Sequence, residues 1–158
     1  MLSLCEIVAR LEDALMGVKG SYLLFICCSG DVSVRTKRRS FFVDEGLYVY
    51  VGSGWGTGGV LARLRRHACI SGRPFWHIDF LLRSGCTPVG FSVLPSARER
   101  EVAAALSGMH SYVTGFGCSD DPGSPSHLFA VKNIFGVYSS LAERGLTPGL
   151  TIMLGECL

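Results

Sequence analysis

Residues 48–67 read YVYVGSGWGTGGVLARLRRH, and they contain the clearest pattern of secondary structure in the chain. Two tyrosines alternate with valines at its start, which predicts a β-strand over residues 47–52. A run of glycines between residues 52 and 59 then leads into an arginine-rich segment with helical spacing, predicted as a helix at about residues 58–70. A tight turn therefore joins a strand to a cationic helix.

The glycine-rich turn has two interpretations. Gly54, Gly56 and Gly59 match the dinucleotide-binding pattern GxGxxG, but that site also requires a parallel βαβ unit and an acidic residue at a strand end. Asp79 has about the right spacing but falls in a predicted helix, and the lysine-containing phosphate loop GK[ST] is absent. The pattern favours a sharp turn beside a site that the backbone approaches closely.

Length and composition indicate one globular domain. The 158 residues are 48% hydrophobic and 18% charged, enough to bury a core, and no apolar run reaches the length of a membrane span. The N-terminal residues 3–16 have acidic residues and helical spacing, which predicts a helix and no signal peptide. We expect a cytoplasmic protein without a membrane partner, its oligomeric state open.

The seven cysteines are an odd number and none forms a CxxC pair. This pattern argues against a disulfide framework and against a zinc ribbon. It favours cysteines that serve as small buried hydrophobic residues in a reducing cytosol, with a reactive thiol or a stabilising bridge as the alternatives.

Positive charge is concentrated in one part of the chain. Eight of the 15 Lys and Arg residues lie between residues 35 and 73, where the only acids are Asp44 and Glu45. Such a face is expected of a protein that binds a phosphate backbone, although a solvated basic surface has the same composition. The predicted nucleic-acid-binding residues are Arg35, Lys37, Arg38, Arg39, Arg65, Arg66 and Arg73.

The remaining pattern predicts an α+β fold with a small antiparallel sheet of about three strands flanked by helices. The three strands are residues 21–28, the segment VSVRTKRR and residues 47–52, with FFVDEG as a connection. A short helix follows Pro74, a strand or extended segment covers residues 87–95, and SHLFAV ends in a short strand. The tail from Tyr138 is less patterned and is assigned no chemistry.

Two helices carry candidate site residues. In the first, Arg63 and His67 are four residues apart and therefore neighbours at one border of the apolar stripe. In the second, Glu99 falls inside the apolar stripe, where an unpaired carboxylate is costly. Glu99 is thus either a metal or catalytic ligand or the partner of Ser96 in a capping box.

Other candidates have structural alternatives. Tyr22 and Tyr50 could be packing residues of the sheet, and His77 is as compatible with a core hydrogen bond as with a site. Asp120 and His127 lie among turn-forming residues, where structural hydrogen bonds are common.

Taken together, these residues resemble the GIY-YIG nuclease superfamily, and specifically its Uri-type GIY-YIG-like endonucleases. Gly20-Ser21-Tyr22 stands where the superfamily has GIY, and Tyr50-Val51-Gly52 stands where it has YIG. RLRRH, WHIDFLL, a glutamate that opens a helix, GFGCSD and SHLF follow in the expected order. The resemblance covers residues 20–130, leaving 1–19 as an N-terminal helix and 131–158 as a C-terminal extension of one domain.

The resemblance implies a metal-dependent endonuclease that hydrolyses phosphodiester bonds in DNA, with RNA not excluded. It implies a single Mg²⁺ or Mn²⁺ ion held by Glu99. Tyr22 and Tyr50 would line the site, Arg63 would steady the phosphate, and His67 and His77 would support it. The alternative is a nucleic-acid-binding module on the same fold with little catalytic turnover.

This chain departs from the superfamily pattern in three places. Tyr22 and Tyr50 are separated by 27 residues, more than in many members, and the inserted segment is the basic hairpin. The superfamily's late asparagine has no obvious counterpart, for which His127 or Asp120 are the candidates. Asp121 stands where the Uri-type group often has cysteine.

Overall fold

The structure is a computed structural model that describes residues 1–155 and residue 157. Its helices are α1 (Leu4–Arg10), α2 (Glu12–Leu15), α3 (Gly59–Cys69), α4 (His77–Leu82), α5 (Glu99–Ser107) and α6 (Ile134–Glu143). Its strands are β1 (Gly20–Cys28), β2 (Val32–Arg35), β3 (Ser40–Val43), β4 (Gly46–Ser53), β5 (Cys86–Pro95), β6 (Ser111–Tyr112), β7 (Leu128–Val131) and β8 (Thr151–Met153).

The α+β class is as predicted, but the sheet is larger than expected. Six strands pair antiparallel in the order β6-β7-β4-β1-β5-β8. Residues 87–95 and the end of SHLFAV, which the sequence predicted as further strand segments, form β5 and β7 of this sheet. The short edge strands β6 and β8 were missed, because they have too few residues to show a clear alternation.

The basic insertion forms a separate hairpin, in which β2 pairs with β3 outside the main sheet. Two predictions are corrected here. The segment VSVRTKRR does not belong to the main sheet, and residues 41–43 of the supposed connection form most of β3. Phe41 and Val43 are buried while Phe42 between them is exposed, the alternation of a half-buried strand.

The sheet separates two hydrophobic cores because successive side chains of a strand point to opposite faces. Tyr22 and Leu24 of β1 join the core beneath α1, α3, α4 and the hairpin, whereas Leu23 and Phe25 join the core beneath α5 and α6. Each helix buries its apolar side against one of these faces.

Both chain ends are integrated into this architecture. The predicted helix at residues 3–16 is interrupted at Leu11 and forms α1 and α2, with Ser3 and Glu6 in a capping box at the start. After β7, α6 covers the second core and β8 pairs with β5.

Six of the seven cysteines form disulfides, which corrects the expectation of free buried thiols. The pairs are Cys5–Cys69, Cys27–Cys157 and Cys28–Cys86, and Cys118 is free and buried. Each pair joins distant parts of the chain; Cys28 and Cys86, for example, lie opposite one another on the neighbouring strands β1 and β5. Local spacing therefore gave no sign of them.

Among the described residues, no helix is long and apolar enough to cross a membrane.

Candidate active site

One end of the sheet brings several chain segments together. The first residues of β1 pair with the last residues of β4 and of β5, and helices α3 and α5 begin just beyond that end. The register places Tyr22 opposite Gly52. A side chain at position 52 would overlap the Tyr22 ring, so only glycine lets the tyrosine lie flat across the neighbouring strand.

The glycines of this loop permit a tight turn and close packing against α3. Gly58 and Gly59 have φ values of 87° and 63° at the start of α3, a conformation that favours glycine. A Cβ at Gly54 would collide with Val60 of that helix. All strand pairs in the described residues are antiparallel, so the parallel βαβ unit of a dinucleotide site is absent there.

Tyr22 and His67 form a buried hydrogen-bonded pair. The Tyr22 hydroxyl lies 2.7 Å from Nε2 of His67, and both residues are 1% exposed. Burial lowers the pKa of His67 to about 4, so the imidazole is neutral at pH 7. Burial also raises the pKa of Tyr22 well above its usual value, which keeps the phenol protonated. The hydroxyl can therefore donate to a neutral imidazole.

Asp79 determines which nitrogen of His67 holds the proton. Nδ1 of His67 has no hydrogen-bond partner among the described residues and lies 4.0 Å from Oδ1 of Asp79. A proton on Nδ1 faces this negative charge, so we assign the tautomer in which Nε2 is the acceptor.

Asp79 is itself held by Arg66. The guanidinium contacts both carboxylate oxygens, with Nε at 3.2 Å and Nη2 at 2.8 Å, and the backbone N–H groups of Phe75 and Trp76 also donate to it. Burial opposes ionisation, but these hydrogen bonds outweigh it and hold the pKa of Asp79 below its usual value. Asp79 makes no hydrogen bond to His77, whose Nδ1 accepts instead from the backbone, as the core alternative for this histidine allowed.

Arg63 is half-buried and lies on the face of Trp76, with its guanidinium carbon 3.9 Å from the ring centroid. It has no carboxylate partner within 4.0 Å among the described residues. A stacked guanidinium keeps its edge donors free, so Arg63 is fixed in position and still able to bind an anion.

Tyr50 differs from Tyr22 although the two rings are 6.5 Å apart. Its ring is buried, yet its hydroxyl forms no hydrogen bond with any described residue, and Tyr50 lines an open cavity. Burial raises its pKa; the carboxylate of Glu99 raises it further and Arg63 opposes this. Tyr50, Arg63 and Glu99 thus share one electrostatic environment, in which Tyr50 is a hydrogen-bond donor.

Glu99 is the first residue of α5, which corrects the capping-box alternative. Ser96 has a φ of 64° and makes no cap, and Arg98 at the cap position makes no side-chain cap bond. The helix start is instead fixed by Ser21 and Trp55, which both donate to the carbonyl of Ala97 at 2.9 Å.

The Glu99 carboxylate is consequently free. It accepts no hydrogen bond from the described residues and its side chain is 30% exposed. Burial raises its pKa; His127 opposes this, and Asp120 and Asp121 reinforce it. Concentrated negative charge of this kind favours a proton or a cation beside Glu99.

Sequence reasoning left His127 and Asp121 without a role, but both belong to this site. Nε2 of His127 lies 3.0 Å from Oδ2 of Asp121, and its unpartnered Nδ1 lies 3.8 Å from Oε2 of Glu99. His127 directly precedes β7 and its carbonyl accepts from Val51 of β4. This pairing is long-range, and the only hint in the sequence was the histidine before an apolar strand.

The donor set fits a hard divalent cation. Mg²⁺ is commonly bound by one or two carboxylates and completes its shell with water. Glu99 offers one free carboxylate, Asp120 lines the same cavity, and no group of three or more ligands is found among the described residues. Glu99 would thus hold Mg²⁺ or Mn²⁺ largely through a hydrated shell.

His77 is placed apart from the Tyr22–His67 pair. Its Nδ1 accepts a 2.8 Å hydrogen bond from the backbone N–H of Gly117, and its ring packs against Phe41 and Phe116. It lines the same cavity as Tyr50, so it supports the wall of the site.

The predicted nucleic-acid-binding residues divide into two groups. The hairpin residues Arg35, Lys37, Arg38 and Arg39 are exposed and have no carboxylate partner within 4.0 Å among the described residues. Arg73 is also exposed. Arg65 pairs with Glu12 at 3.3 Å, and Arg66 is committed to Asp79, so these two are less free to meet a ligand.

Two cavities meet at Asp120. One of about 360 Å³ is bordered by Ser53, Trp55 and Glu99, and the other of about 560 Å³ is bordered by Lys37, Tyr50 and Phe75. The free carboxylate and the free phenol therefore open into adjoining spaces.

A family model, described as domain of unknown function DUF123, matches residues 21–145. The chain belongs to this family. The match begins in β1 and ends after α6, so the family domain contains every residue of the site described above. No curated protein and no solved structure matches the chain.

Proposed function

We propose that this DUF123 protein is a metal-dependent endonuclease that hydrolyses phosphodiester bonds in DNA. The observation that carries the proposal is that two groups lie at one end of the sheet: His67, a buried neutral imidazole bonded to Tyr22, and Glu99, a carboxylate that accepts no hydrogen bond from the described residues. The resemblance to GIY-YIG nucleases supports it independently, through motifs in the sequence.

In this proposal, water is the attacking group and the chain provides its proton acceptor. As the water oxygen bonds to phosphorus and the bond from phosphorus to the leaving oxygen breaks, the water proton passes to the Tyr22 oxygen and the Tyr22 proton passes to Nε2 of His67, 2.7 Å away. The leaving oxygen takes a proton from solvent, and His67, whose pKa is about 4, returns its proton to solvent. Tyr22 is too weak an acid to ionise alone, so the neutral imidazole behind it is essential to this step.

The remaining residues act on the phosphate. Arg63 donates to the oxygens on which negative charge accumulates, and the free Tyr50 hydroxyl donates to the phosphate or orients the water. Mg²⁺ or Mn²⁺ bound at Glu99 would supply Lewis-acid stabilisation of that charge. His127, held by Asp121, faces the Glu99 carboxylate with Nδ1 at 3.8 Å and borders the space in which a ligand of Glu99 would lie.

The test is a nicking assay on plasmid, single-stranded and branched DNA with Mg²⁺ or with EDTA. Wild type, Arg63→Ala and Glu99→Ala are compared under single-turnover conditions. Cleavage by the wild type in Mg²⁺, abolished by EDTA and reduced at least about 100-fold in both variants, supports the proposal. Salt-sensitive binding by all three proteins without cleavage would instead identify a nucleic-acid-binding module.

A cytoplasmic location is part of the proposal, and the disulfides make it testable. Disulfides persist in oxidising compartments, although intracellular proteins of hyperthermophiles are also disulfide-rich. Acid-quenched cells are treated with a maleimide that adds mass to each free thiol. Labelling at Cys118 alone in the cytosolic fraction is expected; recovery of the protein outside that fraction would contradict the location.

A further inference from the structure

The larger cavity is built from two walls of different character. On one side are Thr36, Lys37 and Arg38 at the tip of the hairpin, and on the other are Phe75, Trp76 and Phe80 around the start of α4. Its volume of about 560 Å³ is within the range of small-ligand sites, and Tyr50 and Asp120 lie at the end that adjoins Glu99.

Phe75 is the unexplained residue of the aromatic wall. It is 71% exposed, an unusual position for a phenylalanine that has a core-forming tryptophan next to it. The ring stands edge-on to Trp76, with an interplanar angle of 88° and centroids 5.4 Å apart. Trp76 already carries the guanidinium of Arg63, so Phe75 is the aromatic ring that remains open to a ligand.

The opposite wall supplies positive charge. Lys37 and Arg38 are exposed and have no carboxylate within 4.0 Å among the described residues. Asp120 is the one acidic residue of the lining; it cannot attract phosphate but can accept a hydrogen bond from a base amino group. An aromatic face, two unpaired cations and an acceptor are together suited to a nucleotide.

We infer that this cavity binds one unpaired nucleotide of a DNA strand, its base stacked on Phe75 and its phosphates facing Lys37 and Arg38. The inference rests on the proposed function and specifies its substrate class. A base in a continuous duplex has both faces covered by its neighbours and cannot stack on a side chain. The preferred substrate is therefore DNA with an unpaired nucleotide next to the cleaved bond.

The experiment measures binding in EDTA, where no metal-dependent cleavage occurs. One labelled strand is used alone, in a full duplex and in a duplex with a single bulged nucleotide, and dissociation constants are obtained from fluorescence anisotropy. The wild type is expected to prefer the single strand and the bulged duplex. Phe75→Ala should weaken binding to these two by about 5- to 150-fold and leave the full duplex unchanged.

Matched variants separate stacking from general effects. Phe135 is a phenylalanine of similar exposure (75%) on α6, which packs on the other face of the sheet, so Phe135→Ala should bind all three DNAs as the wild type does. Phe75→Tyr retains the ring and should retain the preference. Lys37→Ala combined with Arg38→Ala should weaken binding to all three DNAs and flatten the salt dependence by about two charges.

The arms of the experiment also identify the source of the nucleotide. Preference for the bulged duplex over the single strand indicates a nucleotide extruded from a helix, and the reverse indicates a single-stranded segment; both support the cavity. Equal loss on all three DNAs in Phe75→Ala, or no loss on any, overturns it. A protein that shows the preference but cuts no DNA in Mg²⁺ overturns the proposed function and leaves the binding site standing.

Discussion

Two buried histidines at the same end of the sheet have similar hydrogen bonding but face carboxylates in different environments. His67 and His127 each have one bonded nitrogen and one nitrogen without a partner among the described residues. Each unpartnered nitrogen faces a carboxylate that lies roughly 1 Å beyond hydrogen-bonding distance, Asp79 at 4.0 Å and Glu99 at 3.8 Å. The geometry of the two histidines is thus nearly the same.

The carboxylates make the difference. Asp79 is 2% exposed and is saturated by Arg66 and two backbone N–H groups, so it can only orient His67. Glu99 is partly exposed and accepts no hydrogen bond from the described residues, so it is open to an exogenous cation. The His67 side is a completed network, and the His127 side is one that a ligand would complete.

Removing the charge of Asp79 from the network on the His67 side should change the protein most, and the change is a loss of stability. Asp79→Asn removes the charge that neutralises Arg66, and breaking such a pair by removal of one partner costs about 3 kcal/mol. In a protein of this size the melting temperature should fall by about 6–12 °C. Asp13→Asn, at an exposed position, is the control. A fall of less than about 2 °C in Asp79→Asn would show that Asp79 is not structural.

Glu99→Gln should have the opposite effect, with little change in stability and a large loss of activity. The free carboxylate makes no stabilising hydrogen bond, so the melting temperature should be unchanged or slightly higher, while the cleavage rate falls about 10²- to 10³-fold. Glu101→Gln, on the exposed side of the same helix, should retain the wild-type rate. Loss of stability without loss of activity in Glu99→Gln would reverse the assignment of the two networks.

The pH dependence of stability should report His67. Its pKa is lowered to about 4 in the folded protein, against 6.5 for an ordinary histidine. At pH values between these two, His67 is protonated in the unfolded chain and neutral in the folded protein. The contribution of neutral His67 to the free energy of unfolding is therefore fully present above pH 6.5, and about 3 kcal/mol of it is lost as the pH falls to 4. Asp79 and Asp121, with pKa values below the usual 3.8, act only under that window. Burial raises the pKa of Glu99 above 4.5, so Glu99 takes up a proton within the window and opposes part of the loss.

Urea denaturation at intervals between pH 7 and pH 4 measures this slope. His67→Asn removes the titrating group and should flatten it, while the lowered pKa of His77 leaves a smaller residual slope. An unchanged slope in His67→Asn would mean that folding does not lower the pKa of His67, and the buried neutral imidazole would be lost from the assignment.

The sequence alone was sufficient to predict the features of the site that depend on local residue spacing. Alternation and glycine identified β4 and the turn into α3, and a separation of four residues placed Arg63 next to His67. The apolar spacing of residues 102, 103 and 106 placed Glu99 inside the apolar stripe of α5; these neighbours are buried, while the Glu99 side chain is 30% exposed. These signals lie within one element and need no knowledge of the rest of the chain.

Several of the missed features depend on long-range contacts. His127 reaches the site because its carbonyl accepts from Val51 of β4, and the three disulfides join residues that are at least 58 positions apart. The capping box at Ser96 failed for the same reason. Its N–H donates to the carbonyl of Lys19, which extends the pairing of β5 with β1 past Pro95 and delays the start of α5.

Removal of a single hydroxyl from Tyr22 or from Tyr50 should change the free energy of unfolding least, and by different amounts at the two positions. Tyr22→Phe leaves Nε2 of His67 buried without a donor, which should cost about 1–3 kcal/mol of stability. Tyr50→Phe removes a hydroxyl that has no partner among the described residues, so the free energy of unfolding should change by less than about 0.5 kcal/mol. Urea denaturation of both variants beside the wild type measures the difference.

Activity should then separate these variants from one another. Because the Tyr50 hydroxyl is proposed to meet only the substrate, Tyr50→Phe should lower the cleavage rate while its stability remains that of the wild type. Tyr22→Phe should lower both, since its hydroxyl serves the folded network and the proton path together. Equal stability losses in the two variants would mean that Tyr50 also has a bonding partner in the folded protein, and its assignment as the substrate-facing phenol would be lost.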